Sequence, residues 1–555
     1  MKNQSVLAVR STTALLICLM AHSPAWAQKV EPKVKIGPDT TVIDGPLTAD
    51  GYIDYVGHLN EVLKKGVTPE NNSAVLFLKA YPGEITTKKF MKKYCEALGI
   101  APVPLKKDNH FLDYYRFAIE DAKAKKGAKL NPEEQSRAQK AIDKDYEKAT
   151  EGPWKRKDIP SMAKWMDSVE EPMKLITKGA KRSRYYHPLI NLEEDGSGHM
   201  ITVLLPQAQS SRGFARALVV RAMMYLGEGE IDKCLDDILT MRRLGNHVAS
   251  GATIVEQLVG IAIIGIAQDA ERKVAFSGKL SADELLDYRA QMAKHRIRSN
   301  MAKSFSNCER FMYLDAVQQV MKRGMKGLNE IVGMAGGMDS GGRPQTKMQE
   351  MLDKVITSST DWSLTMKEGN KIYDRYESEL KDASWEAQDK ALQSMEAEVQ
   401  KISQEVSGSS AMFKAVLGGP EYRGKMMGKI FVSMLLPALN AASGAEKRSK
   451  VMDDLSYVVL SIAAHKAENG EYPRSLQDLK GDAGKDIPVD KYADADYRYR
   501  RNGEGFLVYS IGPNRKDDNG NGVYNEKMNE GDDYGAGYES SSSVAESNAS
   551  QGDIR

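Results

Sequence analysis

The sequence predicts a mainly α-helical protein that ends in a small α+β module made of one helix and an antiparallel sheet. Two observations predict this fold class. Apolar residues recur at spacings of three and four along most of the chain, which is typical of amphipathic helices. Near the carboxyl terminus, residues 497–512 instead alternate around an Asn-Gly pair, as in a β-hairpin. The chain therefore combines a long helical array with a short sheet.

The helical array is centred on residues 212–245, which predict two helices joined by a turn at residues 227–230. Glycines in that turn supply backbone conformations that other residues resist. Tyr225 on the first helix and the small Cys234 on the second resemble a tetratricopeptide unit, although Arg221 stands where that pattern has an apolar residue. The predicted inner face of the second helix consists of Ile231, Cys234, Leu235, Ile238 and Met241. One such unit cannot bury its own faces, so we expect further helices to pack around it.

The beginning of the chain differs in composition from the rest. Lys2 and Arg10 give a basic start, residues 12–21 form a short apolar core, and Ala25-Trp26-Ala27 is a small-x-small cleavage site. These features predict a secretory signal peptide, residues 1–27, that is cleaved after Ala27. We therefore expect export to the periplasm, the cell envelope or the extracellular space, with no membrane span left after cleavage.

Charge and cysteine content limit the classes of partner and of fold. Cleavage removes two of the 78 basic residues and none of the 76 acidic ones, so the mature chain is balanced at 76 of each. This balance argues against a general attraction to nucleic acid or to an anionic membrane. The remaining cysteines, Cys95, Cys234 and Cys308, are odd in number and cannot form a fully paired disulfide framework. Cys234 and Cys308 lie at apolar helical positions, so we expect buried thiols there.

A mostly apolar segment occupies residues 254–267. Fourteen residues are too few to span a bilayer, so the segment predicts a buried core helix. Gly260 and Gly265 lack side chains, and we expect both to allow close contact with a neighbouring helix.

Glu256 places a carboxylate inside that predicted core helix. Such a group needs a partner or a raised pKa. One interpretation is an ion pair with an arginine, the candidates being Arg216, Arg221, Arg242 and Arg243. The other is a general acid or base that works with His187 or Asp315 in a site formed only by the fold. Without Glu256 as a partner, His187 is expected to be a surface or capping histidine.

The C-terminal module opens with an amphipathic helix that is predicted to end at Asn469-Gly470, before Pro473. The NGEYP segment, a Tyr-x-Tyr strand, the GFLVYSIGPN strand and an acidic glycine-rich loop resemble the globular half of the major pseudopilin of type II secretion. The resemblance covers residues 450–535 and implies a helix-plus-sheet fold and a secretion-linked role. The chain departs from that family because its apolar helix is internal and contains Pro437.

The acidic loop of this module has the residue spacing of a calcium site. Asp517, Asn519 and Asn521 stand at alternate positions with Gly522 next, which is the oxygen-ligand spacing of a calcium loop. Met528 replaces the glutamate of an EF-hand, so a later aspartate would have to fold back. The predicted Ca²⁺ ligands are Asp517, Asn519, Asn521, Asp532 and Asp533, and the pseudopilin resemblance also implies calcium here. The alternative is a turn-rich acidic loop without a metal.

These signals divide the chain into five regions. They are a signal peptide (1–27), an N-terminal helical region (28–200), a central tetratricopeptide-like region (201–410), a pseudopilin-like module (411–535) and a disordered tail (536–555). The segments GVTPENNSAVLFLKA, LGEGEIDKCLDDIL, ERFMYLDAVQ and NKIYDRY resemble a family of uncharacterised exported proteins from planctomycete-type bacteria. That resemblance implies an architecture rather than an activity.

Familiar catalytic motifs are missing from the sequence. It has no HExxH, no Gly-x-Ser-x-Gly, no Walker loop, no dinucleotide fingerprint and no CxxC pair. Its aromatic residues, 7% of the chain, show no stacking platform for sugars or bases. We therefore favour a non-catalytic exported scaffold that binds a protein partner. The alternatives are an exported hydrolase whose site forms only in the fold, and an accessory protein of a secretion or pilus-like system.

Overall fold

The computed structural model describes residues 32–83, 85, 87–105, 110–127, 129–190, 200, 203, 205–324, 326–327, 358–381, 383–406, 418–435, 439–479, 487–520 and 533–538. The helices in these ranges are α1 (Tyr55–Lys64), α2 (Ser73–Ala80), α3 (Lys88–Leu98), α4 (Tyr114–Lys126), α5 (Pro132–Glu151), α6 (Pro160–Ser168), α7 (Glu170–Ala180), α8 (Pro206–Glu228), α9 (Ile231–Ala249), α10 (Ile254–Phe276), α11 (Ala282–Ala293), α12 (Met301–Ser304), α13 (Arg310–Arg323), α14 (Trp362–Leu380), α15 (Trp385–Val406), α16 (Pro420–Leu435) and α17 (Leu439–Asn469). The strands are β1 (Val489–Asp490), β2 (Ala495–Asp496), β3 (Arg498–Asn502), β4 (Gly505–Ser510) and β5 (Tyr534–Tyr538). The predicted fold class, mainly α with a small C-terminal α+β module, is confirmed.

The central hairpin consists of α8 and α9. The predicted turn begins two residues too early, because α8 continues through Gly227 and ends at Gly229, whose φ of 83° is left-handed. A Cβ atom on Gly227 would lie 2.0 Å from the backbone oxygen of Trp154, so this glycine serves close packing rather than chain reversal. Arg221, which departs from the tetratricopeptide pattern, donates from Nε to the Asp237 carboxylate at 2.8 Å and so joins the two helices.

Helix α10 is the centre of the larger hydrophobic core. It packs against α8, α9 and α17, and 254–267 is buried as a core helix as predicted. Gly260 allows the close approach that the sequence predicts, since a Cβ atom there would lie 2.5 Å from the backbone nitrogen of Ala249. The same prediction is wrong for Gly265, where a Cβ atom would meet nothing within 4 Å. Cys95, Cys234 and Cys308 are all buried free thiols.

The C-terminal region has more strands than the sequence predicts. β3 and β4 pair antiparallel with Asn502 opposite Gly505, so the hairpin loop is Gly503-Glu504, one residue later than the Asn-Gly pair. β5 adds a third antiparallel strand on the other side of β4, and β1 pairs with β2 separately. Helix α17, which ends at Asn469 as predicted, packs against α10, α11 and the strands β4 and β5. The helix of the C-terminal module thus shares its packing with the central helices.

One stretch of the described residues, Pro420–Asn469, is long and apolar enough by length and composition to cross a membrane. Within its most apolar window 40% of the residues are buried inside the protein, and the core helix of a soluble protein would meet the same criterion. The stretch runs over residues 436–438, which lie outside the described ranges.

Candidate functional site

Glu256 lies in the first turn of α10, where it forms a capping box with Thr253. Its Oε2 accepts hydrogen bonds from the backbone N–H of Thr253 at 3.1 Å and from the Thr253 hydroxyl at 3.0 Å. Its Oε1 lies 3.1 Å from Nε2 of His187, without the alignment of a hydrogen bond, and both side chains are only 1% exposed. The predicted pairing of Glu256 with an arginine is therefore wrong, because a histidine occupies that position.

Three of the candidate arginines pair with other carboxylates. Their partners are Asp237 for Arg221, Glu271 and Asp453 for Arg242, and Asp236 for Arg243. The last of the four, Arg216, is exposed on α8 and lines a groove described below. Arg221 and Arg242 therefore join α9 to its neighbours, Arg243 pairs within α9, and the start of α10 is stabilised separately.

His187 is buried, so the prediction of a surface or capping histidine is wrong. Its Nδ1 lies 3.4 Å from the Tyr94 hydroxyl oxygen, and the Tyr185 ring lies 6.4 Å away between centroids. Burial raises the pKa of the Tyr94 and Tyr185 hydroxyls well above the usual 10, so both stay neutral. Because the His187–Glu256 pair is enclosed, a substrate could reach it only if the surrounding helices moved apart.

Asp315, the other residue considered as a partner of Glu256, lies on α13. Its Oδ2 accepts a hydrogen bond from the backbone N–H of Met200 at 2.8 Å. Its Oδ1 accepts from the Gln319 amide, one turn further along the same helix, at 3.5 Å. Asp315 therefore attaches the chain before α8 to α13.

A second histidine, the half-buried His247, lies beside Ser73. The Nε2 atom of His247 is 3.0 Å from the Ser73 hydroxyl oxygen and 3.1 Å from the backbone oxygen of Ala180. Burial lowers the pKa of His247, so its ring is neutral and carries one N–H. If Nε2 donates to the Ala180 carbonyl, it cannot also accept the Ser73 proton, and Ser73 is itself fully buried. This Ser–His contact therefore supports the fold rather than nucleophilic catalysis.

A π-helical turn, Phe305–Glu309, interrupts the helical path between α12 and α13. The sequence gives no signal for this turn. Turns of this kind are frequent at functional sites. Glu309 accepts a hydrogen bond from the backbone N–H of Ile254 at 3.4 Å, and burial raises its pKa from 4.5 to about 7.

The raised pKa of Glu309 predicts a pH-dependent stability. Between about pH 4.5 and 7 the folded chain holds a proton that the unfolded chain has released, so the free energy of unfolding falls as pH rises through this interval. Glu309→Gln is expected to remove this component, which urea unfolding at a series of pH values would measure. Glu379→Gln, on the exposed side of α14, is the matched control. Parallel pH profiles for the parent and Glu309→Gln would contradict the assignment.

The predicted calcium loop is described only in part. Asn521 and Asp532 lie outside the described residues. The Asp517 carboxylate accepts from the Tyr509 hydroxyl at 2.9 Å, the Asn519 backbone N–H at 2.9 Å and the Arg498 guanidinium at 3.1 Å. Asp533 accepts from the backbone N–H of Gly520 at 2.8 Å. Among the described residues no group of three or more His, Cys, Asp or Glu could hold a metal, and the calcium site stays a prediction.

An open groove of about 550 Å³ lies between α4, α5, α6 and α8. We call it the aromatic groove. Its aromatic lining consists of Tyr114, Tyr115, Tyr146 and Trp165, and its charged lining consists of Asp113, Asp143, Glu147 and Arg216. No aromatic platform is visible in the sequence because these rings come from separate helices. A signal was present on α5 alone, where Gln139, Ile142, Asp143, Tyr146 and Glu147 follow helical spacing on one face.

The rings of the aromatic groove are held in place by their polar ends. The Trp165 indole N–H donates to the backbone oxygen of Leu112 at 2.7 Å, and the Tyr114 hydroxyl donates to Asp145 at 2.7 Å. The two rings lie 5.3 Å apart between centroids. Tyr115 is different, since 49% of it is exposed. The groove thus has a rigid aromatic floor and one exposed tyrosine at its rim.

No protein-family model matches the chain, and comparison with curated proteins and with solved structures gives no match.

Proposed function

We propose that this chain is an exported, non-catalytic helical scaffold of the cell envelope that binds a protein partner through the aromatic groove. Export is inferred from the signal-peptide features of residues 1–27, and the partner from the groove. The main support for a protein partner is the combination of four aromatic rings and three carboxylates around one open groove. Aromatic side chains with fixed orientation are typical of the centres of protein interfaces.

The charge of the aromatic groove indicates which kind of peptide would bind there. Three carboxylates and one arginine give its lining a net charge of −2. Glu147 and Asp143 are exposed, so they can meet a cation without being first desolvated. The faces of Tyr115 and Tyr146 can pack against the ammonium or guanidinium group of a bound lysine or arginine. A basic peptide segment with apolar residues between its cations fits this lining.

The hydrolase alternative has less support. Its predicted members, Glu256 and His187, do meet, but each is 1% exposed. A buried pair with a capping role accounts for both residues without a reaction. The secretion-accessory alternative rests on the pseudopilin resemblance of residues 450–535, and that helix-plus-sheet arrangement is compatible with it. Binding to a secretion component would be one form of the proposed partner interaction.

Fluorescence anisotropy with the mature chain tests the proposed function. The probe is a labelled short peptide that alternates lysine with leucine, and its counterpart replaces each lysine by glutamate. We expect the basic peptide to bind, the acidic one not to bind, and affinity to fall with added salt because the contacts are exposed. Asp143→Lys with Glu147→Lys is expected to weaken binding by roughly tenfold or more.

The matched control is Glu120→Lys, an exposed acid on α4 that does not line the groove. It should leave the affinity within about twofold of the parent. Equal binding of both peptides, or unchanged binding by the Asp143 and Glu147 double variant, would refute the aromatic groove as the partner site. Binding of neutral oligosaccharides without binding of the basic peptide would indicate a sugar ligand instead of a protein partner.

A further inference from the structure

A second cavity, of about 530 Å³, lies between α12, the π-helical turn, the end of α14, the start of α15 and the start of α17. We call it the lysine cavity. One side is apolar and is formed by Phe305, Leu380, Trp385, Leu392 and Leu439. The other side carries Lys303, Lys381, Lys447, Lys450, Glu377 and Glu446. Four lysines against two glutamates give this lining a net charge of +2.

Both glutamates of the lysine cavity are engaged by the protein itself. Glu446, which is buried, accepts from the Ser299 hydroxyl at 3.2 Å and from the backbone N–H of Met301 at 3.3 Å. Glu377 lies 3.8 Å from the guanidinium of Arg310. The carboxylates therefore hold the wall together and leave part of the lysine charge available.

The four lysines divide into two pairs. Lys447 is buried and bound to Asp389 at 2.5 Å, and Lys450 pairs with Glu446 at 2.8 Å. Lys303 and Lys381 are exposed at the mouth of the cavity, and neither has an ion-pair partner within the described parts of the chain. An anion in the cavity would thus have two lysines available that form no ion pair among the described residues.

The apolar side of the lysine cavity is rigid. Phe305 is 1% exposed and stacks on Tyr373 at 4.7 Å between centroids, and Leu392 is 2% exposed. The half-buried Trp385 ring is supported from behind by Tyr492, 4.9 Å away between centroids. The π-helical turn contributes Phe305, Ser306 and Asn307 to the lining, so one side of this irregular backbone borders the cavity while Phe305 and Cys308 pack in the core.

We propose that the lysine cavity binds a free anionic amphiphile with a single alkyl chain. Its carboxylate or phosphate head would bind Lys303 and Lys381, and its chain would lie along Leu380 and Trp385, which line the cavity and are only half-buried. The volume falls within the range of roughly 300–1,000 Å³ that small-molecule sites occupy. The proposal is independent of the aromatic groove, which lies on other helices and has the opposite charge.

Titration of the mature chain with monomeric dodecyl phosphate tests the proposal, with the Trp385 fluorescence and calorimetry as readouts. We expect saturable binding that shifts the emission, and Trp385→Phe should remove the shift while heat is still released. Dodecyl maltoside, which has the same chain and a neutral head, is expected to bind at least about tenfold more weakly. Inorganic phosphate alone is expected to bind weakly because it has no alkyl chain to contact the apolar side of the cavity.

Charge variants locate the head group. Lys303→Glu with Lys381→Glu is expected to weaken dodecyl phosphate binding by about tenfold or more. The matched control is Lys371→Glu with Lys390→Glu, two exposed lysines of α14 and α15 that do not line the cavity. Unchanged affinity in the first pair, or equal binding of the neutral amphiphile, would overturn the proposal. Binding to anionic lipid vesicles without binding of the monomer would overturn it as well.

Discussion

Replacing Gly260 by alanine is expected to lower the free energy of unfolding by about 2–4 kcal/mol. A Cβ atom at this position would lie 2.5 Å from the backbone oxygen of Gly245 and 2.6 Å from the Cβ of Ala249. These atoms belong to α9, and backbone atoms cannot move aside as a flexible side chain can. The helices α9 and α10 would have to separate where both are fully packed, which would disturb the larger core.

Gly265→Ala is the matched control for Gly260→Ala. It lies on the same helix, has open space around its Cα, and is expected to raise the free energy of unfolding by up to about 1 kcal/mol through better helix propensity. Urea unfolding followed by far-UV circular dichroism measures both. A similar result for the two variants would show that the close crossing of α9 and α10 does not limit stability.

Replacing Arg242 by methionine is expected to destabilise the protein by about 3–5 kcal/mol. The guanidinium is fully buried and contacts Glu271 at 2.5 and 2.6 Å and Asp453 at 2.5 Å. Tyr288 donates a further hydrogen bond to Glu271 at 2.7 Å. Removing the cation would leave the buried Glu271 carboxylate without a cationic partner and Asp453 with only Arg296, 3.5 Å away, at the junction of α10, α11 and α17. The loss therefore also weakens the attachment of the C-terminal module.

Arg243→Met is the control for this variant. Arg243 is the next residue on α9, half-buried, and 3.6 Å from the Asp236 carboxylate, so its loss is expected to cost about 1 kcal/mol or less. Equal losses for the two arginine variants would contradict the central role of Arg242.

Several features of the protein follow from the sequence alone because they depend on residues close together in the chain. The cap residue Asn131 with Pro132 predicts the helix that begins at Pro132, the capping box of Ser281 and Glu284 predicts the one that begins at Ala282, and both helices are present. The Asn469-Gly470 stop and the alternation after residue 497 predict the end of α17 and the hairpin of β3 and β4. The sequence likewise indicates buried cysteines and a glycine needed for close packing at residue 260.

Only the tertiary structure decides which distant side chains meet. Glu256 and His187 are 69 positions apart, and nothing local distinguishes His187 from the arginines as the partner of a buried carboxylate. The aromatic groove gathers rings from α4, α5 and α6, and the lysine cavity gathers charges from α12, α14 and α17. Periodicity determines which face of a helix is buried. The neighbour of that face depends on how all the helices pack, and both proposed binding sites arise from that packing.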